Sequence, residues 1–207
     1  MTRDRIQGIL ALSIAAIFAA VAAYSPARAA DEPQGRLWGD LGVGYGSMHT
    51  SNSPVTGNAG GLWVEMQLGA RISSRWLAGV SISGLGLHAG TADDDPDSYY
   101  RTTFGENIGN VFLVFQYEPK SDHGWFLGAG AGEVRYNNKG LEDLTGNAHS
   151  GNGPGALARV GYDWPYSKRG HFEAVLSYQL DDIALNEPLN GNFHNSILAV
   201  SFHVSYH

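Results

Sequence analysis

Residues 62–72 run Leu-Trp-Val-Glu-Met-Gln-Leu-Gly-Ala-Arg-Ile, and this stretch limits the possible folds more than any other. Leu62, Val64, Met66, Leu68, Ala70 and Ile72 share one parity; Trp63, Glu65, Gln67, Gly69 and Arg71 share the other. A period of two places alternate residues on opposite faces of a β-strand. Aliphatics on one face, with a glutamate, a glutamine and an arginine on the other, suit a closed sheet with hydrocarbon outside. A water-soluble barrel has the reverse arrangement.

The pattern recurs along the chain. Strands are expected over 37–47, 62–72, 76–87, 105–118, 125–136, 155–164, 171–180 and 197–207. The outward, lipid-facing set includes Leu41, Val43, Val64, Leu68, Val80, Leu113, Val160, Leu176, Val200 and Phe202. Connections alternate between short turns (73–75, 119–124, 165–170) and long polar loops (48–61, 88–104, 137–154, 181–195). An even number of strands of about 9–11 residues, with short turns at one end and long loops at the other, is the rhythm of a transmembrane β-barrel. The fold expected is therefore all-β: an eight-stranded antiparallel up-and-down barrel. Aromatics gather near the turns as Trp76, Tyr117, Trp125, Trp164, Phe172 and Tyr206, forming an interfacial belt at one height.

The first 30 residues read as a cleaved export signal, leaving 31–207 as the barrel domain. Arg3 and Arg5 precede an apolar run over 9–23, and Ala27-Arg28-Ala29 is an A-x-A cleavage site. That run is shorter than the ~20 residues a spanning helix needs. Of 13 basic and 20 acidic residues, removing Arg3, Arg5, Arg28 and Asp4 leaves 10 and 19, a net charge of −9. Such a balance argues against a nucleic-acid partner, which requires a basic face. With no cysteine, disulfides and thiolate metal sites are excluded, so an exported chain must find stability elsewhere. A closed hydrogen-bonded barrel supplies it.

Phrases such as Gly124-Trp125-Phe126-Leu127-Gly128-Ala129-Gly130 and Gly155-Ala156-Leu157-Ala158-Arg159-Val160-Gly161-Tyr162-Asp163 read like the fifth and sixth strands of many small barrels. In these and in its overall pattern, from about Leu37 onward, the chain resembles the eight-stranded outer-membrane barrels of the OmpA/OmpX type. The resemblance implies the outer membrane of a Gram-negative cell envelope. It also implies membrane lipids and lipopolysaccharide as neighbours, and the barrel insertion machinery as an assembly partner. Many such barrels end in phenylalanine, whereas here the terminal aromatic, Tyr206, is followed by His207.

Parity sends Asp40, Glu65, Gln67, Arg71, Arg159, Asp163, Glu173 and His203 into the lumen, where charges must pair. An eight-stranded barrel is just wide enough for side chains to fill. The expected role is structural or surface-interacting: a lumen salt-bridge network, with acidic loops meeting lipopolysaccharide, the environment or a host ligand. A narrow gated pore along the same residues is one alternative. A lipid-A deacylase or acyltransferase is another, needing a serine, a histidine base and an orienting carboxylate near the outer leaflet. His49, Asp97, Ser98, Glu142, Asp143, His149 and Ser150 lie in the long loops, and no His-x-Ser is expected at a strand's outer end, the motif being read only at His203 to Ser205, at the turn end. No enzyme, cofactor or metal site is expected. The run Asp93-Asp94-Asp95-Pro96-Asp97 has Ser98 where a calcium loop needs glycine and Phe104 where it needs its closing glutamate. Within the lumen, Asp40 and Arg71 are expected to contact each other at the lower end of the first hairpin.

A closed barrel leaves no backbone group unpaired and no free sheet edge. Unboiled protein in detergent should therefore migrate differently on a gel from boiled protein, and identical migration would count against closure.

Overall fold

The computed structural model describes residues 37–51, 57–88, 106–119, 124–138, 149–167, 169–185 and 192–206, all within the unit Gln34–His207. Residues 1–30, expected to be an export signal, the aspartate run at 93–97, Glu142, Asp143 and His207 lie outside the described residues. Eight strands follow one another: β1 Leu37–Ser51, β2 Gly57–Arg71, β3 Trp76–His88, β4 Glu106–Tyr117, β5 Gly124–Asn138, β6 His149–Pro165, β7 Gly170–Leu185 and β8 Asn192–Tyr206. Each pairs antiparallel with the next, and β1 pairs with β8, closing the sheet. Val43 lies opposite Val64 on one side and Phe202 on the other, so one outward row runs unbroken across the seam.

The short turns are closed by backbone bonds. Ile72 and Ser73 donate to the Trp76 carbonyl, and Tyr166 and Ser167 donate to that of Gly170. Gly124 opens β5 with φ at 112°, a left-handed conformation that costs glycine no Cβ clash.

The outward face follows parity. Leu41, Val43, Val64, Leu68, Val80, Leu113, Leu176, Val200 and Phe202 are exposed, and Val160 is half-buried on the same face. Near the turns, Trp76 packs on Tyr117 and Trp125 meets Tyr162 edge-on, while Tyr162 packs on Trp164 and Tyr166 on Phe172. Tyr206 receives a 2.8 Å hydrogen bond from Arg169 Nη1.

The strands overrun their expected ends at the loop side. β1 continues to Ser51, β2 begins at Gly57, β6 begins at His149, β7 continues to Leu185 and β8 begins at Asn192. The reason is an inversion of the hydrophobic pattern at that height. Above Tyr45, Met48 points inward and His49 outward; above Ala131, Val134 and Tyr136 point inward and Glu133 and Arg135 outward. Above Leu180, Ile183 points inward and Asp182 outward. A search for outward aliphatics stops where the wall leaves hydrocarbon, although the ladder continues.

This boundary sets the cost of an outward charge. Val64→Arg or Leu176→Arg, within the apolar band, should destabilise the barrel by about 2–4 kcal/mol in a bilayer unfolding titration, and His49→Arg, above the band, by about 0–1 kcal/mol. Equal costs at the two heights would place the boundary elsewhere.

Candidate functional site

The inward parity of the turn-side half gathers the ionisable residues. Asp40 on β1, Glu65 and Gln67 on β2, Arg159 and Asp163 on β6, Glu173 on β7 and His203 on β8 are all buried inside the barrel. At the centre, the Arg159 guanidinium donates to Gln116 Oε1 at 2.9 Å and to Glu65 Oε1 at 3.3 Å, and lies 3.9 Å from Asp40 Oδ2. Glu65 Oε1 also accepts from Gln67 (2.6 Å) and Ser81 (2.8 Å). Three strands, β2, β3 and β6, thus converge on one carboxylate oxygen. Charge-assisted bonds of this kind are the strong ones in a low-dielectric interior.

Glycines make the room. Arg159 lies opposite Gly128, and a Cβ on Gly128 would meet the Arg159 Cγ at 2.6 Å. Likewise a Cβ on Gly42 would fall on the His203 ring. The glycine run 128–132 is matched by larger partners: Arg159 beside Gly128, Val114 beside Gly130 and Phe112 beside Gly132.

The first-hairpin pair expected between Asp40 and Arg71 does not form. Asp40 sits opposite Gln67, which leaves Arg71 four residues further toward the turn end. There Arg71 Nη2 donates to Glu118 Oε2 at 2.7 Å and Nη1 to the Ser74 carbonyl at 3.2 Å. Asp40 instead accepts from His203 Nδ1 at 2.5 Å. Parity named the correct face for both residues; the stagger between strands decided which partner each could reach.

Several members of the network were not anticipated. Glu118 lies just beyond β4, His171 Nδ1 meets both Asp163 oxygens at 2.8 and 2.9 Å, and Ser201 Oγ lies 2.7 Å from His203 Nε2. Their signal was present, because each continues an inward parity row. Higher up, Asn110 and Gln179 exchange amide hydrogen bonds of 3.1 and 3.0 Å across the lumen, and Gln179 also donates to Asp181.

Ser201, His203 and Asp40 form the relay of a serine hydrolase, but Ser201 is 0% exposed and a substrate could not reach it. The expectation of His-x-Ser at the turn end alone is corrected by two more, His49-Thr50-Ser51 and His194-Asn195-Ser196, at the outer ends of β1 and β8. There His49 Nδ1 bonds to Asn58 Oδ1 at 2.7 Å, while Ser51 donates to the His194 carbonyl at 3.4 Å rather than to an imidazole. His149 and Ser150 open β6 instead of lying in a loop. Among the described residues no three His, Asp or Glu side chains are grouped as a metal ion requires.

Above the ionic network apolar side chains surround the buried row of Asn110, Gln179 and Asp181. Trp63, Leu85, Phe112, Val114, Leu157, Ile183, Ile197 and Ala199 belong to one buried cluster that also includes Met48, Leu87, Ile108, Val134 and Tyr136. Side-chain exposure falls from 15% at Arg71 and 8% at Glu118, near the turns, to 1% at Arg159 and 0% at Glu65.

Two double-mutant cycles separate the observed pairing from the one expected from the first hairpin. Arg71→Ala and Glu118→Ala should couple by about 0.5–3 kcal/mol, whereas Arg71→Ala and Asp40→Ala should be additive. Asp40→Ala alone, which strands buried His203 and Arg159, should cost about 3–5 kcal/mol. Coupling between Asp40 and Arg71 in unfolding titrations would overturn this register.

No protein-family model matches the sequence, and no curated protein matches it. Solved structures do. Neisserial surface protein A (NspA) aligns over 84% of this chain and 99% of its own, with a TM-score of 0.59 at 16% identity. The outer membrane protein AlkL, determined in lipid bilayers, aligns over 87% and 93%, with a TM-score of 0.52 at 15% identity. The architecture of this chain is that of the small eight-stranded outer-membrane β-barrels.

Proposed function

We propose that the chain is exported, loses residues 1–30 and resides in the bacterial outer membrane as a closed, non-conducting barrel. Its role is structural and surface-interacting: the lumen stiffens the cylinder, and the acidic loops meet lipopolysaccharide or a ligand outside the cell. One observation carries the reading. The lumen is filled from wall to wall, with Trp63, Leu85, Phe112, Ile108 and Ile183 at 0–1% exposure above a buried ionic network. Water and ions cross a barrel only where side chains leave a continuous polar path, and eight strands leave little width for one. The outward apolar band and aromatic belt support placement in a bilayer.

Refolded protein in a planar bilayer should show no discrete conductance steps, and lipid A from expressing cells should keep its acyl pattern by mass spectrometry. Regular steps would favour the pore, and a lost or added acyl chain would favour the lipid-A enzyme; either result would displace the structural reading.

A further inference from the structure

Asp181 is held differently from the carboxyls of the ionic network. Asp40 and Glu65 face the Arg159 guanidinium, Glu118 meets Arg71, and Asp163 meets His171. Asp181 is also buried, yet what binds it is an amide: Gln179 Nε2 donates to its two oxygens at 2.8 and 2.9 Å. The same nitrogen serves Asn110 Oδ1 at 3.0 Å, so both of its hydrogens are engaged. The carboxyl group otherwise has apolar company. A Cβ built on Gly155 would meet Asp181 Oδ1 at 2.8 Å, Val134 Cγ2 at 2.5 Å and Phe112 Cε1 at 3.1 Å. A carboxylate in such a place lacks solvation and a countercharge, whereas a neutral acid requires neither.

The other inward titratable groups of the described residues stand elsewhere. They are Asp40 on β1, Glu65 and Arg71 on β2, Glu118 beyond β4, Tyr136 on β5, Arg159 and Asp163 on β6, His171 and Glu173 on β7, and His203 on β8; β3 has none. All except the Tyr136 phenol belong to the turn-side half. On the outer wall Asp182 pairs with His194, and Glu133 with Arg135. Asp181 follows Leu180, the last outward leucine of β7, and so stands above the apolar band. Burial, opposed by the Gln179 hydrogen bond, raises its carboxyl to about 7.

Its position couples it to the loops. Asn110 Nδ2 donates to Gln179 Oε1 at 3.1 Å and to Ser83 Oγ at 3.2 Å, so a polar row crosses the lumen from β7 to β3. In the ladder Asp181 lies opposite Asn195, whose Oδ1 accepts from Thr50 at 2.9 Å. With β7 ending at Leu185, β8 beginning at Asn192 and β1 ending at Ser51, the group stands at the root of three loop-bearing arms.

We propose that Asp181 is a proton-operated latch for the loop-side strand ends. Neutral, it completes the row across the lumen and keeps the ends of β7, β8 and β1 ordered. Ionised, it puts an uncompensated charge among apolar side chains and loosens them, so the pH outside the cell sets how the loops are presented. The inference rests on the loops working outside the cell, and it adds their regulation. An acid raised in the folded state keeps a proton that the unfolded chain has lost. Its contribution is full below the ordinary carboxylate value of 3.8 and is lost as pH rises through about 7.

Hydrogen–deuterium exchange of the unaltered protein in lipid nanodiscs, corrected for intrinsic rates, tests the latch. From about pH 5 to about pH 8, opening of the amides at 181–185, 192–196 and 48–51 should become on the order of ten- to a hundredfold more frequent. Asp181→Asn should hold the protected state throughout, and His49→Gln/His194→Gln should keep the wild-type response. A wild type without the response, an Asp181→Asn variant that retains it, or a histidine variant that loses it would each overturn the proposal. Should Asp181→Asn not fold, the carbon-13 shift of the Asp181 carboxyl in the unaltered protein decides. A midpoint near 7 supports the latch, and one in the ordinary carboxylate range overturns it. Failure of the structural reading shows as conductance or altered lipid A, and failure of the latch as exchange indifferent to Asp181, so the two are told apart.

Discussion

The ladder between β1 and β8 is the constraint on which everything else rests. In hydrocarbon an unpaired backbone group costs several kcal/mol, so a spanning sheet must have no edge. Joining Gly39 to Tyr206 and Ser51 to His194 closes the cylinder and fixes the parity of every strand around it. A slip of one residue at this seam would turn Asp40 and His203 into lipid and bring Leu41 and Phe202 inside. The ionic lumen is thus both a product of closure and a reason why only one register closes.

Within that cylinder, packing works by complementing small residues with large ones. His203 lies over Gly42, Arg159 over Gly128, and a Cβ on Gly161 would strike the Phe126 ring. The Arg159 guanidinium carbon is 5.3 Å from the centroid of the same Phe126 ring, a cation–π contact on the turn side of the ionic network. A narrow barrel cannot accept bulk on every strand at one height, so glycine on one strand is the condition for arginine or histidine on its neighbour.

The number of strands, their faces and the belt were legible because hydrocarbon demands aliphatics at every second outward position. Two things were not. Which charges meet depends on stagger: Asp40 and Arg71 share a face and a hairpin, yet one bonds to His203 and the other to Glu118. Parity carries no information about height. The strand tops were also missed, since Met48, Val134 and Ile183 carry the apolar side inward there, opposite to the phase below. The lumen partners Ser201 and His171 were visible as inward residues, but their roles required knowing who stood across from them.

That inversion of phase makes the molecule two cylinders in series. The lower one is greasy outside and ionic within; the upper one is polar outside, with Glu133, Arg135, Asp182 and His194 on its wall, and mainly apolar within, around the buried Asn110, Gln179 and Asp181. Residues 47–51 of β1 climb roughly 12 Å at ordinary strand rise and tilt. The upper cylinder is therefore a pedestal with the architecture of a water-soluble barrel. It carries the ladder beyond the outward aliphatic band and holds the spacing of the strand ends by its own core.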